Sequence, residues 1–309
     1  MHLLIPFAAP LSDGGRQAQR GLVLPQLQAL LACLRPTERD EGDEWSLSTP
    51  HERALARALG LQGGNGMLPW AARQAAADGV AVGSLAWGLL TPGHWHLGTE
   101  QVSLMNPAHL MLDETGSRAL LDAVRELFTS EGYRLQWGAP LRWYLAHESL
   151  AALPTASLDR VIGRNVDAWL GHDPAARRIR RLQSEVQMLL HTHPLNEQRQ
   201  VLGLLPVNSF WLSGCGVAQP ACAPAPQVDE RLREPALRED WAAWGQGWLT
   251  LDAGPLAALL AAARDGQGVQ LTLCGERASA TWASAPRGWL ARAAALFARP
   301  AVWPVLEAL

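Results

Sequence analysis

The sequence predicts a mixed α/β fold, an α/β core interrupted by an α+β insertion. Three observations predict it. A short apolar run at 2–7 is closed by Ser12-Asp13-Gly14-Gly15, the pattern of a buried strand running into a loop. Helix-start and helix-stop signals recur before residue 80 and again after residue 228. From about residue 81, short strand-like runs joined by tight turns take over, with helices between them. The core is therefore assigned to residues 1–80 and 201–309, and the insertion to 81–200.

Taken in order, the strand at 2–7 leads to an amphipathic helix at 24–34, which Pro36 ends. The acidic stretch Glu38–Glu44 reads as a loop. Thr49-Pro50-His51-Glu52 is a strong helix start, with a hydroxyl N-cap, proline at the first helical position and glutamate at the third. That helix runs to Leu59, where Gly60 stops it. Gly63-Gly64-Asn65-Gly66 is a turn, and Pro69 opens a short helix to about Asp78.

Strands are expected at Trp87–Thr91, Trp95–Leu97 and Gln101–Met105, then a helix at Ser117–Glu131, then strands at Tyr133–Trp137 and Leu141–Ala146. Asp173-Pro174 starts the longest helix, Ala175–His191, whose Ile179, Leu182, Val186 and Leu189 form an apolar stripe. A short helix at Asn196–Leu202 precedes a strand at Val207–Ser213, and Gly214-Cys215-Gly216 reads as a turn. Two helices at 237–251 and 255–264, a hairpin of 269–274 with 277–282, and a last helix from Arg287 to Ala298 complete the chain.

Composition narrows the function. The 309 residues are 48% hydrophobic and 18% charged, which suits a globular chain with a substantial core. All 26 basic residues are arginine, so no Schiff-base lysine and no P-loop lysine exists; pyridoxal-phosphate enzymes and Walker-type NTPases are excluded. A net charge of −3 recruits neither nucleic acid nor an anionic membrane, and neither is expected as a partner. Cys33, Cys215, Cys222 and Cys274 match no zinc or redox spacing. With no signal peptide and no apolar run of membrane-spanning length, the expected location is the cytoplasm.

Four groups of residues could carry chemistry. His94 and His96 would project from one face of a strand toward a single ion, with Glu100 as a third ligand; the alternative is a packed strand whose imidazoles satisfy backbone groups. His191-Thr192-His193-Pro194 is either helix-end capping or a polar site shared with Asn196 and Arg199. Arg160 and Arg164, one helical turn apart, could grip a phosphate or carboxylate, or could instead pair with internal acids such as Asp159 or Glu185. Trp241, Trp244 and Trp248, among 14 tryptophans, recur at helical spacing and form a packed stripe or a partner surface. Neither GxSxG, GxGxxG after the first strand, nor HExxH occurs, and no cofactor is expected.

The run Arg181–Arg199, with its His193-Pro194-Leu195-Asn196-Glu197-Gln198-Arg199 turn, continues through Gly203 into Leu205–Gly216. It resembles the archaeal-type cofactor-independent phosphoglycerate mutases, in which a histidine-proline-x-asparagine-x-x-arginine turn precedes a proline/asparagine strand ending in Gly-x-Gly. The match covers about residues 87–216. The whole chain is more similar still to the bacterial RpfE-type regulatory proteins, through Trp87–Pro92, His94-Trp95-His96 and Leu158–Asn165. This resemblance implies a reduced alkaline-phosphatase-like core with the insertion as its substrate-covering domain. It also implies a role in regulating virulence-factor or extracellular-enzyme production.

The departures from the family bear on activity. Its chemistry needs two metal ions held by aspartates and histidines around a serine nucleophile, because both the attacking and leaving oxygens carry charge. Its first strand ends in a metal-binding aspartate, whereas here the strand runs Leu3-Leu4-Ile5-Pro6-Phe7-Ala8-Ala9. Beyond residue 216 only Asp229, Asp240, Asp252 and Asp265 remain as aspartates, and there is no histidine.

The expected function is a non-catalytic regulatory or ligand-binding protein. Its polar pocket, near the junction of insertion and core, would use Arg160, Arg164, Asn165, Glu185, His193, Asn196, Arg199 and Asn208 to hold a phosphorylated or carboxylate metabolite. One rival is a phosphoglycerate mutase or metal-dependent phosphatase with a rearranged site at His94 and His96. Another is a scaffold whose helical C-terminal half binds a protein partner.

Overall fold

A computed structural model describes residues 1–284 and 301–309. In chain order the first elements are β1 (His2–Ile5), α1 (Asp13–Arg20), α2 (Pro25–Cys33), β2 (Arg35–Glu41), α3 (Pro50–Leu59) and α4 (Trp70–Ala77). There follow β3 (Ala86–Gly93), β4 (Trp95–Leu97), β5 (Val102–Leu104), α5 (Glu114–Thr129), β6 (Arg134–Ala139) and β7 (Arg142–Ala146). Next come α6 (Leu158–Val161), α7 (Pro174–His191), α8 (Pro194–Val201), β8 (Ser209–Val217) and β9 (Gln227–Val228). The chain closes with α9 (Arg233–Leu237), α10 (Trp241–Leu251), α11 (Ala257–Arg264), β10 (Gln270–Cys274), β11 (Ala278–Ala283) and α12 (Val302–Glu307). The mixed α/β class expected from the sequence is the class the structure has.

Two compact units divide the chain: residues 1–45, 49–60 and 222–309 form the first, and 46–48 with 61–221 form the second. The first unit is built on a five-stranded sheet of order β2-β11-β10-β1-β9. β1 lies parallel to β10 and β9, while β10–β11 and β11–β2 are antiparallel. One face of the sheet offers Leu3, Ile5, Leu271 and Leu273 to α2, α10 and α11; Leu4 and Cys274 pack with Ala54 of α3. An alternating strand covered on both faces buries every apolar side chain it carries. Within α10, Trp244 and Trp248 are fully buried and meet edge to face at 6.2 Å.

The second unit holds the antiparallel sheet β6-β7-β3-β8 and the small β4–β5 hairpin. Its largest core packs Phe128, Tyr133, Trp143, Phe210 and the apolar stripe of α7. Behind α4 a polar knot fixes the sheet. Tyr144 donates its hydroxyl to Asp78 Oδ2 at 2.5 Å, and Arg142 donates to both carboxylate oxygens at 2.8 and 3.1 Å. Desolvation pushes the Asp78 carboxyl up, but these donors and the guanidinium charge outweigh it and hold it below the usual aspartate range.

A carboxyl depressed by folding contributes stability above its unfolded pKa of about 3.9 and loses it as pH falls through the folded value. Replacement of Asp78 by asparagine should therefore cost about 1–2 kcal/mol at neutral pH, the weight of charge-assisted hydrogen bonds at a partly wet site. The gap between wild type and Asp78→Asn should narrow below about pH 4. Urea unfolding across pH 2.5–7 would check this; a gap that stays constant would refute it.

Four local expectations are corrected. Ser12-Asp13-Gly14-Gly15 is not a loop but the start of α1, with Ser12 Oγ accepting from the Gly15 amide at 3.2 Å. Most of the acidic stretch Glu38–Glu44 is an edge strand, β2, whose Glu38 and Asp40 pair with Arg57 and Arg53 of α3. Gly214-Cys215-Gly216 lies inside β8, where the positive φ of Gly214 absorbs a register shift against β3. The helices expected at 237–251 and 255–264 are joined without a break by a π-turn at Asp252–Leu256 containing Pro255. In that turn Asp252 accepts from the amides of Gln26 and Leu27 at 3.1 and 2.8 Å, capping α2 where Leu24 supplies no side-chain cap. The helix expected at Arg287–Ala298 lies outside the described residues.

Candidate functional site

The site is organised by α7. Asp173 caps it, accepting from the Ala176 amide at 3.0 Å, and Pro174 takes the first helical position. Ile179, Leu182, Val186 and Leu190 are buried along one face, and Gln183 is buried among them at 3% exposure. A primary amide on a core stripe needs partners. Its Nε2 donates to the Phe210 carbonyl of β8 at 3.2 Å.

Against this face lies a small cleft of about 30 Å³, room for one or two waters. Its walls include Leu153, Trp169, Ile179 and Trp211, with Thr155, Arg180 and Gln183 supplying polar atoms. Trp211 is fixed, since its Nε1 donates to the Ala156 carbonyl at 2.9 Å. Arg180 is held by Nη2 to the Gly171 carbonyl at 3.1 Å and to His172 Nδ1 at 3.0 Å. A guanidinium cannot accept, so that histidine nitrogen accepts and the proton sits on Nε2.

The eight residues expected to line a pocket lie elsewhere; none of them lines this cleft. Arg160 is buried on α6, and Arg164 is half-buried beyond Gly163. Asn165 caps a short 3₁₀ turn, accepting from the Asp167 amide at 3.0 Å. Glu185 meets Arg181 at 3.5 Å on the surface of α7. His193 caps α8, with Nδ1 accepting from the Leu195 amide at 3.2 Å.

The remaining three form a scaffold. Asn196 is buried; its Nδ2 donates to the carbonyls of Leu190 and Val207 at 2.9 and 2.7 Å, and its Oδ1 accepts from the Val207 amide at 2.9 Å. Arg199 donates to the carbonyls of Leu205, at 2.9 Å, and Leu110. Desolvation lowers its pKa, with the Asp113 charge acting in the opposite direction. Asn208 pairs with the backbone of Trp95, accepting at 2.7 Å and donating at 3.0 Å, as a strand residue would. The motif that carries the family resemblance thus ties the α7–α8 corner to the strand that follows.

His94 and His96 have ring centroids 6.4 Å apart, and His94 Nδ1 is engaged with the Pro206 carbonyl at 2.9 Å. His96 and Glu100 are exposed. Among the described residues no three histidines, cysteines, aspartates or glutamates are grouped so as to hold a metal ion. No described helix is long and apolar enough to cross a membrane.

The cleft was not foreseen from the sequence because segments 153–156 and 169–171, α7 and β8 meet only in three dimensions. One signal was present: Gln183 falls between Leu182 and Val186 on the core face of an amphipathic helix.

No family model matches the sequence, and no curated protein matches it. Two solved structures are similar in trace. One is the cofactor-independent phosphoglycerate mutase from Thermoplasma acidophilum DSM 1728, at 14% identity and a TM-score of 0.39, covering 91% of this chain and 89% of the other. The second is the PH0037 protein from Pyrococcus horikoshii, at 12% identity and a TM-score of 0.46, covering 92% of this chain and 87% of the other.

Proposed function

We propose that this chain is a non-catalytic regulatory or ligand-binding protein, related to the cofactor-independent phosphoglycerate mutases by the motif at 193–216. One observation carries the reading. In open α/β sheets, ligands gather at the carboxyl ends of the parallel strands. Here β1, flanked by parallel β10 and β9, runs out into Pro6-Phe7-Ala8-Ala9. Pro6, Ala8 and Ala9 are buried, Phe7 takes a positive φ of 55°, and its ring lies 5.3 Å from that of His51. An apolar plug thus occupies the place where the family resemblance calls for a metal-binding aspartate. A phosphoryl transfer with two metal ions has no carboxylate to start from there.

The test is an assay of 2- and 3-phosphoglycerate interconversion with added Mn²⁺, together with metal analysis of the purified full chain. The expected result is no turnover above background. Stoichiometric bound metal with turnover that His94→Ala abolishes would replace this reading with an enzyme using a rearranged site.

A further inference from the structure

We propose that His94 and His96 together bind one divalent transition-metal ion, with water completing its coordination. The proposal goes beyond the non-catalytic reading of the chain and does not depend on it.

Strand geometry sets the first condition. The two histidines flank Trp95, whose indole Nε1 is buried and whose ring lies 6.4 Å from that of Trp211. Residues two apart on an extended segment share a face, so both imidazoles project from the face opposite Trp95. Their ring centroids lie 6.4 Å apart, with the planes tilted by 37°. Bound about 2.1 Å from one nitrogen of each ring, a shared ion holds two imidazole centres roughly 4.5–6.5 Å apart. The pair sits at the open end of that span. His96 is exposed on β4, so its ring has room to turn toward His94.

The tautomer sets the second condition. A carbonyl oxygen cannot donate, so the 2.9 Å contact between His94 Nδ1 and the Pro206 carbonyl places the proton on Nδ1. The lone pair is then on Nε2, which has no protein partner among the described residues. A metal-binding histidine is held in the same way, its second nitrogen donating to a backbone carbonyl that fixes the ring. His96 has no hydrogen-bond partner among the described residues. The donor set then selects the ion. Two neutral ring nitrogens suit Ni²⁺, Cu²⁺ or Zn²⁺, and not Ca²⁺ or Mg²⁺, which take oxygen ligands. Residues 94–104 contain no arginine and one acid, Glu100, so no cation of the hairpin opposes the ion. Among the described residues no third histidine, cysteine or acid joins the pair, which leaves the ion open to water and exchangeable.

The experiment is calorimetric titration of the full chain, first cleared of metal with a chelator, with Ni²⁺ and separately with Mg²⁺. One equivalent of Ni²⁺ should bind through this pair, and Mg²⁺ should not bind. His94→Ala and His96→Ala should each weaken that equivalent by at least about 10- to 100-fold, the loss that follows removal of even an outer-shell partner. His191→Ala, at an exposed position ending α7, should leave it unchanged. Ni²⁺ should also raise the unfolding midpoint of the wild type by more than it raises that of either strand variant. The midpoints without metal show that the variants fold. No saturable Ni²⁺ binding, full affinity in His94→Ala or His96→Ala, or equal affinity for Mg²⁺ would each overturn the proposal. The two readings fail separately: phosphoglycerate turnover defeats the non-catalytic function, whereas an inert chain that refuses Ni²⁺ loses only this site.

Discussion

Asn196→Ala is expected to lower the unfolding free energy by roughly 3–5 kcal/mol, because it strands two buried carbonyls and one buried amide at once and each such group costs about 1–3 kcal/mol. Those groups are the carbonyls of Leu190 and Val207 and the Val207 amide. Asn196→Asp sharpens the test. The aspartate keeps an acceptor for the Val207 amide but turns the donor to two carbonyls into a second acceptor, so it should be at least as damaging as alanine. Urea unfolding followed by circular dichroism reads both variants. If either variant unfolds at the wild-type midpoint, the scaffold role assigned to this asparagine is wrong. A purely ligand-contacting asparagine would leave the midpoint unmoved.

The second large effect is expected in the first unit. Trp244 is fully buried, lies edge-on to Trp241 and Trp248 with ring centroids 6.2 Å away, and donates Nε1 to the Phe7 carbonyl at 2.9 Å. Truncation to alanine should cost about 3–5 kcal/mol, from lost transfer energy and the cavity left behind. Trp244→Phe keeps most of the ring area and loses the hydrogen bond, so about 1–2 kcal/mol is expected. The donor also holds Phe7 in a backbone region that bulky residues rarely occupy. Thermal unfolding distinguishes the cases: equal losses for the two substitutions would show that the hydrogen bond, not packing, dominates.

Much of the fold could be read where local chemistry and tertiary structure agree. The helix at 50–59 is such a case: Thr49 and Glu52 form a reciprocal capping box, Pro50 takes the first turn, and Gly60 closes the helix at a φ of 73°. The first strand and the 270–283 hairpin were likewise legible from apolar runs bounded by turn residues. What failed to show was imposed from a distance. The two glycines of α1 argue for a loop, but the segment is held by packing, with Trp241 against Gly14 and Pro10 against Gly15. β2 has no alternating pattern because it is an exposed edge, and charged residues there discourage pairing with other chains.

The site was legible in the same divided way. The residues chosen from the family motif do lie on the α7–α8 corner and the strand after it. Their type could not reveal whether their polar atoms face a ligand or the backbone, and Asn196, Arg199 and Asn208 spend theirs on backbone groups. In the sequence Arg180 is one of four arginines among residues 177–181. Among the described residues its partners are the Gly171 carbonyl and His172, while Glu131 and Glu185 lie against Arg181.

The carboxylate of Asp252 on the start of α2 bears on the order in which the protein comes off the ribosome. α2 emerges early, but the group that finishes its first turn is synthesised 226 residues after Gln26. β1 waits as long for its neighbours at 227–228 and 270–273. The segment 61–221 is complete well before then, so it is positioned to mature first, while the apolar stretch Leu3–Ile5 stays exposed to misdirected association. Until residues 227–273 have been made, Leu3–Ile5 has none of the strands that flank it in the folded sheet.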